Sequence, residues 1–279
     1  MMGEIIKMFS YPFMARAFLA GGLIALCSAL LGVSLVLKKY SMIGDGLSHV
    51  GFGSLAVATA FGMYPLGVAI PVVIICAFAL LRIGSNAKIK GDAAIALIST
   101  GALSVGIMAV SLSKGMNIDI MNYMFGSILA VSGEEVLPTV ILTAVVILLF
   151  ILFYNRIFAV TFDEDFSRAT GVRAGFYNSV IAVLTAITIV LGMRLLGALL
   201  ISSLLIFPPL SSMRVFKTFR SVTISSAILS VVCFFLGLTL SYFCSTPAGA
   251  SVVIVNIAAF GVFCGVSAIK GAIGKRSDD

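Results

Sequence analysis

Residues 19–37 read LAGGLIALCSALLGVSLVL, a run without a single charge. Crossing the hydrocarbon core of a bilayer as a helix takes about 20 predominantly apolar residues. Comparable runs recur at Ala93–Leu112, Val136–Phe153 and Val222–Phe243. Backbone polar groups in lipid must be satisfied within the spanning structure, which leaves helices or a closed barrel of strands. The runs lack the alternation of polar and apolar positions that a barrel requires, so they read as helices. Composition points the same way. Of 279 residues, 61% are hydrophobic and 10% charged, against about 25% charged in a soluble domain. So few charges exclude a soluble fold of this size.

Working outward, the apolar pattern predicts nine helices, at 13–37, 42–63, 65–82, 93–113, 136–155, 176–193, 195–212, 222–243 and 249–269. The fold class is an all-α membrane protein, a polytopic transmembrane bundle forming a single membrane domain over 1–279. The 176–212 stretch reads either as two thin spans or as one span with a re-entrant piece, which gives eight spans as the alternative. The first run starts near Phe13, extends past twenty residues and lacks a small-residue cleavage site. It is expected as a retained helix and not as a removed signal peptide. Pro65 is expected to start the third helix after the turn at Gly62–Tyr64.

The net charge of +7 does not call for nucleic acid. With the C-terminus on the cytoplasmic side, Lys38, Lys39, Arg82, Lys88, Lys90, Arg156, Arg168, Arg173, Arg214, Lys217, Arg220, Lys270, Lys275 and Arg276 fall inside. Lys7, Arg16, Lys114 and Arg194 remain for the outside. Fourteen of the 18 basic residues on one side is the asymmetry of the positive-inside rule. It favours a multi-pass protein of the cytoplasmic membrane with an outer N-terminus and an odd number of spans. The five cysteines, Cys27, Cys76, Cys233, Cys244 and Cys264, have no metal or redox spacing and read as small hydrophobes.

Charge at membrane depth is costly and marks function. Asp45 and His49, in SMIGDGLSHVGFG (41–53), stand out, and His49 is the one histidine of the chain. Four residues apart, they share a helix face, and a carboxylate with an imidazole suits zinc or manganese. The glycines and serines around them permit close approach of neighbouring backbone. Two other readings fit the same residues. Asp45 lies soon after Lys38 and Lys39, so it could cap or open a helix at the cytoplasmic surface, or the two could simply pair with each other. Two donors also leave a coordination shell incomplete.

The segment Phe162 to Val172 reads as a short capped helix, with Asp163, Glu164 and Asp165 first, Phe166 and Arg168 following, and Gly171 ending it. It is either a docking helix for a cytoplasmic partner or an ordinary surface helix. Met116, Met121 and Met124 are read as packing, and Glu134 and Glu135 as solvated charge. No Walker A loop is present; Gly271–Arg276 lacks both the spacing and the hydroxyl. Any ATPase is therefore expected on another chain, and this chain is not expected to be an enzyme.

Four stretches carry a family resemblance. They are KYSMIGDGLSH (39–49), YMFGSILAVS (123–132), GALLISSLLIFPP (197–209) and TPAGASVV (246–253). Together they resemble the permeases of zinc, manganese and iron ABC uptake systems, with the likeness running through nearly the whole chain. Two places depart from the family pattern, Pro208-Pro209-Leu210 and Val50-Gly51-Phe52-Gly53. The resemblance implies an importer of a divalent metal ion, with Asp45 and His49 as the metal-contacting pair. It also implies a permease homodimer, a cytoplasmic ATP-binding subunit docked on Asp163–Gly171, and an extracytoplasmic metal-binding protein. The metal is cargo, and no cofactor is expected. Asn117–Met121 and Thr246–Val253 look more like zinc members, so zinc is the first choice and manganese or iron the alternative. An ion-coupled secondary transporter and an intramembrane enzyme remain as readings from other classes. The enzyme reading is poor, since one histidine and few membrane acids offer little to a hydrolase.

Overall fold

The computed structural model describes residues 10–85, 91–113 and 133–276, and among these every regular element is a helix. Nine helices are long: α1 (Pro12–Leu37), α2 (Ser41–Ala60), α3 (Pro65–Ser85), α4 (Gly91–Leu112), α5 (Gly133–Leu152), α8 (Ala174–Leu196), α9 (Ala198–Val215), α10 (Phe219–Cys244) and α11 (Ala248–Arg276). Two short ones, α6 (Tyr154–Phe162) and α7 (Glu164–Ala169), join α5 to α8. The segment 123–132, the methionines at 116, 121 and 124, Asn117–Met121, Lys88, Lys90 and Lys114 lie outside the described residues.

Local chemistry sets the helix ends. Proline opens α1 and α3, at Pro12 and Pro65, where its missing N–H costs nothing and its φ is already helical. The α1–α2 link is tight. Lys39 takes a left-handed φ of 62°, Tyr40 N–H donates to the Leu35 carbonyl, and α2 starts one residue later. Between α8 and α9 stands Gly197 alone, at φ 93°, ψ 155°, a region that essentially only glycine occupies. That one residue divides the 176–212 stretch into two helices. Each is long and apolar enough to cross a membrane.

Seven of the long helices satisfy that test singly, and α5 with α6 gives an eighth if counted as one broken span. The 136–155 helix expected from the sequence in fact stops at Leu152, and α6 leaves it at 75°. The cause is an aromatic cluster. Tyr154, Phe158 and Phe162 pack on Phe219 at the start of α10, with ring centroids 5.4, 5.3 and 6.2 Å away. Ile157 and Val160 are buried against the bundle, while Asn155 and Arg156 stay exposed.

The ninth long helix, α2, is the polar exception. It packs against α3, α4, α8 and α9, and protein, not lipid, surrounds most of it. A polar helix is tolerated at membrane depth under that condition. Its glycines bring the backbones together. A Cβ on Gly53 would lie 2.2 Å from the Ala102 carbonyl oxygen of α4, and one on Gly106 would lie 2.7 Å from the Gly53 Cα. Elsewhere hydroxyls tie helices together: Ser230 Oγ donates to the Ala25 carbonyl at 2.8 Å, and Ser212 Oγ to Ser225 Oγ at 3.1 Å. All five cysteines are free; Cys27 and Cys233 are buried.

Candidate metal path and docking segment

Asp45 and His49 lie one turn apart on α2. Asp45 Oδ2 and His49 Nε2 are 3.7 Å apart, close enough to attract and too far for a hydrogen bond. The helix begins at Ser41 with Tyr40 as its N-cap and no acid in its first turn. Asp45 therefore does not cap α2. Its side chain is 46% exposed and that of His49 27%, while Gly44, Gly46, Leu47, Ser48 and Val50 between and beside them are buried. The pair, with exposed Met42, forms a stripe that faces out of the subunit. No third acid, histidine or cysteine joins them; among the described residues no group of three such side chains could hold a metal.

Behind the pair, α2 is anchored to α9. Ser48 Oγ donates to the Gly44 carbonyl at 2.9 Å and lies 3.3 Å from Ser202 Oγ. Gly44 faces Leu205 so closely that a Cβ there would meet Leu205 Cδ1 at 2.9 Å. The structure thus brings the 39–49 and 197–209 stretches together. The 246–253 stretch opens α11, which packs along α9; there Gly237 of α10 meets the backbone of Val252 and Ser241 Oγ donates to the Thr246 carbonyl at 2.5 Å.

The 163–171 segment is the capped helix that the sequence predicts. Asp163 is the N-cap, its Oδ1 accepting from Phe166 N–H at 2.8 Å. Glu164 and Asp165 occupy the first turn, and Gly171, at φ 81°, lies just past the end. The acids then divide. Asp165, Phe166 and Arg168 are exposed, Phe166 to 65%. Glu164 turns inward, where its Oε1 accepts from Arg168 at 2.6 Å and its Oε2 accepts from Asn178 Nδ2 at 2.8 Å and lies 3.3 Å from Lys38 Nζ. Lys38 also donates to Asn178 Oδ1. Burial pushes the Glu164 carboxyl up, but the Asn178 amide, the Lys38 charge and Arg168 outweigh it and hold it below the usual glutamate value. Burial pulls Lys38 down from its ordinary value, with Glu164 only partly opposing. The two directions describe one asymmetry: the carboxylate has three donors, and the ammonium is the more deeply buried partner. Beside this segment a cleft of about 350 Å³ is lined by Arg156, Gly171, Val172, Arg173, Phe176 and Tyr177. Sequence reading missed both the cleft and Asn178, which carried no local signal.

Residues 10–266 match the ABC 3 transport family. The chain belongs to that family. The high-affinity zinc uptake system membrane protein ZnuB of Haemophilus influenzae is 32% identical over 240 residues, covering 86% of this chain and 92% of the relative. The manganese transport system membrane protein MntC of Halalkalibacterium halodurans is 25% identical over 278 residues, covering 98% and 95%. Among solved structures, PsaBC from Streptococcus pneumoniae in complex with Fab superposes with a TM-score of 0.84 at 26% identity, covering 94% of this chain and 95% of that one. As a member of the ABC 3 family the chain is a multi-pass membrane permease subunit of a metal transporter and not itself an enzyme. ATP hydrolysis belongs to a separate partner chain. The family displaces the ion-coupled carrier and intramembrane-enzyme readings.

Proposed function

We propose that the chain moves a divalent metal ion, zinc in the first place, into the cytoplasm, with manganese or iron as the alternative cargo. The observation that carries the reading is the Asp45–His49 pair. A carboxylate and an imidazole sit side by side on α2 and face out of the subunit, with no hydrogen bond between them to consume their lone pairs. Both are ligands for zinc and manganese. Two donors per subunit call for water or a second copy to complete the shell, so a homodimer with the path between its α2 helices fits the site. Zinc is favoured by the higher identity to the zinc-system relative, 32% against 25% for the manganese one.

The ATP-binding subunit docks on the 163–171 segment, with exposed Phe166 as the apolar anchor among Asp163, Asp165 and Arg168. Phenylalanine is among the residues enriched in the core of protein interfaces. An extracytoplasmic binding protein supplies the metal from the other side. The segment lies at the same end of the bundle as Lys38, Arg156 and Arg173, which supports a cytoplasmic C-terminus under the positive-inside rule. Metal entering between the subunits exchanges water for Asp45 and His49 in their ionised and neutral forms, so binding weakens in acid. ATP binding and hydrolysis on the partner bias the permease between access states; the energy acts as a population shift.

The test is uptake of radioactive zinc and manganese by cells expressing the chain with its ATPase and binding protein, with and without Asp45→Ala plus His49→Ala. Zinc-selective uptake that disappears in the double variant, at equal membrane expression, is the expected result. Wild-type uptake in that variant refutes the site, and uptake of neither metal refutes the cargo.

A further inference from the structure

The inward turn of Glu164 joins two parts of the molecule that lie far apart along the chain. Glu164 belongs to the first turn of α7, the docking helix. Lys38 is the residue that ends α1, seven positions before Asp45. Its side chain is 11% exposed, which is unusual for a lysine, since buried lysines are almost always paired. Asn178, in the second turn of α8, bonds both, donating to Glu164 and accepting from Lys38. Each of the three side chains thus contacts the other two, and each comes from a different part of the chain.

The turn after Lys38 is stiff. Lys39 is left-handed, its N–H donates to the Val36 carbonyl at 3.0 Å, Tyr40 N–H to Leu35 at 2.8 Å, and Ile43 N–H to Tyr40 at 3.0 Å. A displacement of Lys38 therefore passes into α2 within one turn of Asp45. On the α2 side of the cluster is a small cavity of about 20 Å³, lined by Ser34, Lys38, Ile43, Leu47, Asn178 and Thr185, among others. Ile43 and Leu47 belong to the metal-path helix. The Ser34 and Thr185 hydroxyls have no hydrogen-bond partner. The packing between the cluster and α2 is therefore not complete.

We propose that Lys38, Asn178 and Glu164 are positioning residues that transmit movement of the ATPase-docked α7 helix to α2, and with it to Asp45 and His49. The proposal rests on the docking segment and metal path proposed above. Its geometry is a push rod. Force applied at exposed Phe166 and Asp165 reaches Glu164 through α7. It crosses to Lys38 and Asn178 through charge-assisted hydrogen bonds, which are the stronger class. It enters α2 through the bonded turn. Removing the Lys38 ammonium leaves docking intact and the path intact but disconnects them.

The experiment uses the full complex with its ATPase and binding protein in proteoliposomes, reading metal uptake and ATP hydrolysis in parallel. Lys38→Met is expected to keep the ATPase bound and hydrolysing while uptake per ATP falls at least tenfold. Asn178→Leu, which alters no charge, is expected to shift the ratio in the same direction and guards against misfolding of the lysine variant. Lys38→Met combined with Glu164→Gln is expected to be no worse than Lys38→Met alone, because the residues act as one unit. An unchanged uptake-to-hydrolysis ratio in Lys38→Met and Asn178→Leu overturns the proposal, as does loss of the ATPase from either complex. Failure of the docking reading itself looks different, since Phe166→Ala would then leave the ATPase bound.

Discussion

The crossing of α2 and α4 gives the sharpest test of how the polar helix is held. In Gly53→Ala the new Cβ would stand 2.2 Å from the Ala102 carbonyl oxygen and 2.8 Å from its carbon, and real Cβ atoms essentially never come within 3.0 Å of a neighbour. The obstacle is backbone, which cannot rotate away as a side chain would. The helices must separate by about 0.8 Å at that point, and overpacking of this kind costs typically 1–3 kcal/mol. Gly53 lies one turn beyond His49 on the same helix, so the displacement also reaches His49 and Asp45. The control is Gly101→Ala on α4, an exposed position where an added Cβ meets nothing within 4 Å. There alanine removes up to about 1 kcal/mol of glycine's helix penalty. Thermal unfolding in detergent, followed by size-exclusion chromatography after heating, is the assay, with zinc uptake measured beside it. Gly53→Ala is expected to melt several degrees below wild type and to import poorly, and Gly101→Ala to melt at or above it. Equal melting of the two variants would refute the argument that close backbone approach sets the position of α2.

Two further variants probe other joints. Gly197→Ala places a side chain at φ 93°, ψ 155°, which costs about 1–3 kcal/mol; the expected outcome is a lowered melting temperature with the same helix content by circular dichroism, and an unchanged melting point counts against the assigned backbone. Asp163→Ala removes the α7 cap at a cost of about 1 kcal/mol, whereas Phe166→Ala removes the exposed anchor without touching the helix; co-purification of the ATPase is expected to fall modestly in the first and sharply in the second, and retention in both would move the docking surface elsewhere.

The sequence carried most of the fold because lipid imposes a simple rule on long stretches. α1 was legible to within one residue, since its apolar run ends abruptly at Lys38 and Lys39. The end of α5 was not, because the apolar run continues through Phe153 while the chain turns. What bends it is Phe219, far along the sequence, collecting Tyr154, Phe158 and Phe162 around one ring. The division of 176–212 was legible only as an ambiguity, because glycine marks a place where the backbone can turn without saying that it does. Of the site, the shared face of Asp45 and His49 followed from their spacing, and the capped helix at 163–171 from its acids and glycine. That Glu164 would turn inward while Asp163 and Asp165 did not was invisible. The difference lies in Lys38 and Asn178, which only the tertiary fold brings to it.

An outward-facing pair also resolves a conflict between burying charge and moving it. A closed cage of four ligands within one bundle would hold zinc tightly and release it slowly, and would leave a buried carboxylate uncompensated whenever it emptied. Asp45 and His49 avoid both costs. At 46% and 27% exposure they keep access to water when no metal is present. In the proposed dimer, two such half-sites bind well only when the α2 helices stand close enough to share one ion. Separating the helices cuts the protein ligands from four to two, and the ion exchanges them for water. Transport needs binding favourable enough to enter and weak enough to leave. A site divided between subunits achieves this through the position of α2 alone. The glycines that seat α2 closely on α4 at Gly53 and face it to α9 at Gly44 are then the surfaces on which it is set, and the turn at Lys38 is the point from which it is moved.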